Sequence, residues 1–311
     1  MIALPNPELL SFVRTTYAHQ HLGLKPSTLA QYATTVRRLQ AFASARGYCA
    51  GPLTVRDLRE ELCGAFLRCT LESGRAAATV NARRRDLGAI WRFAFAQGLA
   101  DEPALPGKIK EPKRLPKAWR LEQMEALLAA CYLEPSRRGW EGGHWAALVL
   151  VIYDTGLRIS AALSLRTRQL DLARGALTVE AEQQKDGEEM EFGLHPQTVA
   201  ALIDALSGCD ADLLFPWPFA KRKIWAAFGR ILGRAGLPET RRDKFHRIRR
   251  TSASWLESVR PGAAQEHLGH GDRATTARYI DRQIAGTAIN AAAILPRFAV
   301  ARRIDPQRLL F

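Results

Sequence analysis

Residues 101–117 run Asp-Glu-Pro-Ala-Leu-Pro-Gly-Lys-Ile-Lys-Glu-Pro-Lys-Arg-Leu-Pro-Lys. The prolines at 103, 106, 112 and 116 remove backbone donors and bar a continuous helix. Apolar residues recur at helical spacing on both sides of this stretch. The chain must therefore divide here, and its 311 residues suffice for two domains at ~150 residues each. The expected organisation is a helical domain over 1–107, a basic Pro-containing linker over 108–118, and a second domain over 119–311 that ends in a C-terminal tail.

Ahead of the linker, Leu29, Tyr32, Val36, Leu39 and Phe42 step by three and four behind the capping candidates Ser27 and Thr28, with Gly47 as the stop. Val80, Leu87, Ile90, Trp91 and Ala94 mark a second amphipathic helix ending before Gly98, and Arg83, Arg84 and Arg85 fall mainly on its polar side. Weaker patterns predict helices over 7–20 and 54–72.

Beyond the linker, helices are expected from Leu121 to Cys131, from His144 to Tyr153, and over 221–235, 248–258 and 273–293. The segment 176–194 differs. Leu177-Thr178-Val179 and Met190-Glu191-Phe192 flank Gln184-Lys185-Asp186-Gly187, and Asp-Gly between strand-like runs predicts a hairpin. The fold class that follows is mainly α and multidomain: a helical N-terminal domain, then a mostly α domain with a small antiparallel β-sheet.

Lys and Arg number 45 against 31 Asp and Glu, a net charge of +14. Residues 1–117 hold 18 basic and 9 acidic side chains, so the smaller front part carries +9 of that excess. Such a surface favours a polyanion, and double-stranded DNA is the expected partner. Arg83, Arg84 and Arg85 and the linker residues Lys108, Lys110, Lys113 and Lys117 are the candidate phosphate contacts; for the three arginines the plain alternative is a solvated helix face.

The five cysteines are scattered, without zinc-ligand or disulfide-framework spacing. The first residues carry no basic-then-apolar signal pattern, and the longest apolar run, Trp145 to Tyr153, falls far short of a membrane span. A cytoplasmic, nucleoid-associated protein is the expectation.

Three short segments stand out for chemistry. Thr155-Gly156-Leu157-Arg158 is a glycine turn that feeds an arginine into a helix start. His246-Arg247-Ile248-Arg249 sets His246 and Arg249 three apart, on one helical face or across its first turn. Leu268-Gly269-His270 is followed nine residues later by Tyr279. Taken singly, Tyr279 reads as a packing residue, the histidines as satisfied surface groups and Arg158 as a helix cap. Their order and spacing together point elsewhere.

In those segments the sequence resembles the tyrosine recombinase, or phage integrase, family, over roughly residues 10–290. The resemblance implies that Arg158, Lys185, His246, Arg249 and His270 form the catalytic set around the nucleophile Tyr279. It implies a core-binding domain in front and a catalytic domain behind, tetramers assembled on paired DNA sites, and a role for accessory DNA-bending proteins. One departure is Ala161, where the family usually carries an acidic residue three positions after the first arginine.

The chemistry stands without the resemblance. A side-chain nucleophile that forms a covalent ester, with guanidinium groups holding the transition-state charge, attacks a phosphodiester without metal or ATP. A phenolate is a better leaving group than an alkoxide, so a 5′-hydroxyl can reverse the attack. Arg158 and Arg249 would clamp the non-bridging oxygens and His270 would add a hydrogen bond. Lys185 at a hairpin tip would protonate the leaving 5′-oxygen, or be simply a solvated turn residue, and His246 would accept the tyrosine proton or hold the phosphate. No cofactor and no metal are expected, because no carboxylate cluster has metal-ligand spacing. Site-specific recombination is the leading reading. The rivals are strand relaxation of the type IB topoisomerase kind and an inactive DNA-binding regulator of the same fold.

Overall fold

A computed structural model describes residues 6–112, 114–184, 187–207, 211–240 and 244–286. It divides into two compact units, Met1–Lys113 and Arg114–Phe311.

The first unit is helical. Helices α1 (Leu9–Phe12) and α2 (Ala18–Gln20) are joined by a π-helical stretch, Val13–Tyr17, and are followed by α3 (Pro26–Ala45), α4 (Glu60–Glu72) and α5 (Ala77–Ala96). Pro26 begins α3 because the first helical turn needs no donor there. Phe12, Leu39, Leu53, Phe66, Ile90 and Trp91 meet in one core. Inside it, the buried carboxylate of Asp86 accepts hydrogen bonds from Gln31 Nε2 and Thr35 Oγ1, both at 2.7 Å, which ties α5 to α3.

The stretch after α5 is extended but not loose. Trp91 Nε1 donates to the Asp101 carbonyl at 2.8 Å, and Asn81 both donates to the Ile109 carbonyl and accepts from its N–H. Leu105 and Ile109 pack on the helical core while Lys108 and Lys110 face solvent.

The second unit is built around α7 (Gly142–Thr155), which is buried nearly all round, as a helix enclosed by others must be. Around it lie α6 (Leu121–Tyr132), α9 (Pro196–Leu206) and α11 (Phe245–Val259). The short α8 (Ile159–Ala162) follows α7, α10 (Lys223–Arg234) packs on α6, and α12 (Ala263–Leu268) and α13 (Arg273–Thr276) complete the described helices. Arg230 and Arg234 of α10 both pair with the buried Glu134 after α6.

The sheet has three antiparallel strands in sequence order: β1 (Leu170–Asp171), β2 (Ala176–Val179) and β3 (Met190–Gly193). Val179 pairs with Met190, so β2 and β3 form the expected hairpin, joined by ten residues. A short 3-10 turn, Ala181–Gln183, opens that connection. One expectation changes. The helix expected over 273–293 is α13 alone among the described residues, because backbone turns replace the helical bonds after Thr276. Helices α11 and α12 are joined by residues 260–262, with Gly262 at φ +92°.

Helix α7 stops at Gly156, whose φ of +62° is left-handed, and a Cβ there would lie 2.6 Å from Leu268 Cδ2. Glycine is required by conformation and by the close approach of α12. Gly156→Ala is expected to destabilise the protein by about 2 kcal/mol or more, read as a fall in the urea midpoint at unchanged slope. An unchanged midpoint would mean that α12 does not press on this turn.

Candidate active site

The left-handed turn at Gly156 places Arg158 as the residue capping α8, half-buried. Helix α11 supplies His246 in its first turn and Arg249 one turn on, buried to 3% exposure. The turn at Gly269, with φ +60°, reverses the chain after α12 and brings in His270. Tyr279 follows α13 and rests, half-buried, on a small cluster of Ala253, Ala264 and Leu268.

Arg249 joins these segments. One guanidinium nitrogen donates to the Gly156 carbonyl; the other donates to the Leu268 carbonyl at 3.3 Å and lies 3.0 Å from His270 Nε2. Arginine only donates, so His270 Nε2 is the acceptor and the ring proton sits on Nδ1, 3.1 Å from Thr276 Oγ1. The Tyr279 ring is enclosed by this array. Its centre lies 4.9 Å from that of His246, 5.1 Å from that of His270 and 5.2 Å from the Arg249 guanidinium carbon.

The field here is strongly positive. Burial, then the charges of Arg250, Arg249 and Arg158, pull His246 down to about 4, so it is neutral at pH 7 although its edge reaches solvent. Its strongest charged neighbour, Arg250, lies four residues along the same face of α11 and was not singled out in the sequence. Neither was His267. It packs edge-on against Phe192, its buried Nε2 has no hydrogen-bond partner among the described residues, and burial followed by Arg249 holds it at about 4. Ala161 is buried in the main core of this unit.

Five of the expected catalytic side chains thus belong to one neighbourhood: Arg158, His246, Arg249, His270 and Tyr279. Lys185 lies outside the described residues, as does Lys113. Among the other candidate DNA contacts, Arg83 donates to Thr70 Oγ1 at 2.8 Å and lies over the Phe66 ring, and Arg84 donates to the Pro106 carbonyl. Arg85, Lys108 and Lys110 are exposed. No group of three or more His, Cys, Asp or Glu side chains is placed to hold a metal among the described residues. No described helix is long and apolar enough to cross a membrane.

The sequence pattern of the phage integrase family matches residues 118–285. The chain is 26% identical over 266 residues to tyrosine recombinase XerA of Thermococcus kodakarensis, covering 83% of this chain and 85% of that protein. It is 26% identical over 298 residues to tyrosine recombinase XerD of Pseudomonas aeruginosa, covering 90% of this chain and 94% of that one. Among solved structures, a lambda integrase tetramer bound to a Holliday junction superposes with a TM-score of 0.69 at 20% identity, over 91% of this chain and 78% of its own.

The two depressed histidines give stability a pH dependence. Between pH 6.5 and about 4 the unfolded chain binds protons at His246 and His267 that the folded chain refuses. Their contribution is complete above pH 6.5 and is lost as pH falls through this window. His267→Leu is expected to flatten the decline of the melting temperature between pH 7 and 4.5. A decline as steep as that of the wild type would show that His267 does not resist protonation.

Proposed function

Because the chain belongs to the phage integrase family, we propose that it is a site-specific DNA recombinase that cuts and rejoins strands through a covalent 3′-phosphotyrosyl bond at Tyr279. The observation that carries this reading is the enclosure of Tyr279 by His246, His270 and the buried Arg249. The Tyr279 oxygen attacks phosphorus, the bond from phosphorus to the 5′-oxygen breaks, and the 5′-oxygen takes up a proton. Attack by a 5′-hydroxyl on the tyrosyl ester reverses each change, so the energy of the broken bond is kept in the ester.

In this scheme Arg158 and Arg249 hold the non-bridging oxygens. Neutral His246 takes up the tyrosine proton through a hydrogen bond; Lys185 is the proposed donor to the leaving oxygen. Arg249 already spends donors on Gly156, Leu268 and His270, so binding phosphate means exchanging at least one of these for a phosphate oxygen. Two domains joined by the basic stretch suit a protein that embraces a duplex, and tetramers on paired sites are proposed from the likeness to the lambda integrase tetramer on its junction.

Nicked duplexes drawn from a randomised library and from the DNA flanking the gene provide the test. Wild-type protein is expected to become covalently attached to a cut strand, visible on a denaturing gel, and Tyr279→Phe to form no adduct. Arg249→Lys should slow adduct formation by about 10²-fold through loss of forked donors. Attachment at clustered sequences supports recombination and dispersed attachment supports strand relaxation. Binding without any adduct would overturn the enzymatic reading.

Lys108 and Lys110, held outward by the inward packing of Ile109, are proposed phosphate contacts together with Arg85. Replacing both lysines by alanine should reduce the slope of log affinity against log salt by about 2. An unchanged slope removes them from the DNA interface.

A further inference from the structure

Helix α11 presents a second working row beside the one that carries His246 and Arg249. Arg247, Thr251 and Ser254 grip two chain segments that are far apart in sequence. The first is Ala118–Trp119, where the Pro-containing basic stretch ends. The Ala118 carbonyl accepts from Arg247 Nη2 at 3.1 Å, the Trp119 N–H donates to Thr251 Oγ1 at 2.9 Å, and the Arg247 guanidinium lies 5.4 Å from the Trp119 ring centre. The second is the Tyr279 segment. The Asp281 N–H donates to Ser254 Oγ at 2.8 Å, and that hydroxyl donates to the Arg250 carbonyl at 2.7 Å and lies 3.5 Å from the Tyr279 carbonyl.

One side chain joins the two segments directly. Asp281 Oδ2 accepts the Ala118 N–H at 2.9 Å across 163 residues of chain, and Oδ1 accepts the Gln283 N–H at 3.0 Å. Ala118 is buried outside any helix or strand, so its N–H needs a side-chain acceptor, and a carboxylate supplies a strong one. Asp281 is only two residues from Tyr279, and Ile280 between them packs on Ala253, Ala264 and Leu268. There is little slack in that path.

We propose that Asp281 is a positioning residue that fastens the Tyr279 segment to the end of the basic linker at Ala118, so that ordering the linker sets the nucleophile. This rests on the reading of Tyr279 as nucleophile. Thr251 and Ser254, both fully buried, hold the two fastened segments against the helix that carries His246 and Arg249. A displaced linker end therefore pulls on Asp281, and through it on the tyrosine.

The test uses the full chain as wild type, Asp281→Ala and Asp281→Asn. Hydrogen exchange read by mass spectrometry follows the Ala118 amide and the peptide over 276–286, and adduct formation is timed on the nicked duplexes described above. Asp281→Ala is expected to speed exchange at Ala118 and across 276–286 while slowing adduct formation by about 10- to 100-fold, as a nucleophile misplaced by an ångström would. DNA retention on a native gel should stay within about twofold, because this row of α11 is not a proposed phosphate contact. Asp281→Asn keeps a carbonyl oxygen for the Ala118 N–H and should recover most of the rate.

Unchanged exchange at Ala118 in Asp281→Ala would overturn the proposal. So would faster exchange with a normal rate of adduct formation, or a parallel loss of melting temperature, DNA retention and rate in both variants, which marks a general structural role. If wild-type protein forms no adduct on any duplex, it is the recombinase reading that fails. Exchange at Ala118 then still decides whether Asp281 holds the two segments together.

Discussion

The buried guanidinium of Arg249 is the contact on which the rest of the second unit depends. A cation withdrawn from water costs several kcal/mol unless hydrogen bonds replace its hydration. Here the replacements are the Gly156 carbonyl, the Leu268 carbonyl and His270 Nε2. Those three acceptors come from the end of α7, the end of α12 and the turn beyond it. The chain segments that must meet at the site are therefore the same ones that must meet to bury Arg249. Burying Arg249 and bringing His270 up to α11 therefore use the same hydrogen bonds.

That dependence explains the two left-handed glycines. A helix can present its last carbonyls to a side chain only if the backbone turns aside at once, and Gly156 and Gly269 do so with φ near +60°. It also explains a conflict between stability and function. Gathering Arg158, Arg249 and Arg250 around one histidine raises the electrostatic energy of the fold, and their charges add to burial in depressing His246. The apolar mass of α7 and the aromatic packing of Trp140, Trp145, Trp217 and Phe228 offset that strain.

Much of this could be read from the sequence where a single physical rule dominates. The 3.6-residue period located α3, α5, α6, α7 and most of α11. The motif spacings anticipated that Arg158, His246, Arg249, His270 and Tyr279 would share one neighbourhood. What escaped was set by tertiary contacts. Helix α9 is not among the expected helices, although Pro196 at its start and Thr198, Ala201, Leu202 and Ala205 mark one face. Strand β1 is two residues long and exists only through its pairing with β2. Nothing local to Arg250, His267 or Asp281 reveals that His246, Phe192, Arg249 or Ala118 will lie beside them.

Thr276 shows how a neutral residue can matter as much as the charged ones around it. His270 accepts from Arg249 at Nε2 and therefore holds its proton at Nδ1, against the Thr276 hydroxyl. To donate to a phosphate from Nε2, the ring must change tautomer or become charged. A carboxylate at position 276 would accept only and lock the present tautomer, whereas a hydroxyl can accept from Nδ1–H or rotate and donate to bare Nδ1. In the proposed scheme, threonine there would let Arg249 exchange from His270 to phosphate and the histidine proton shift without breaking the bond that orients the ring. Thr276 is 1% exposed, so water does not compete with its hydroxyl for the His270 ring.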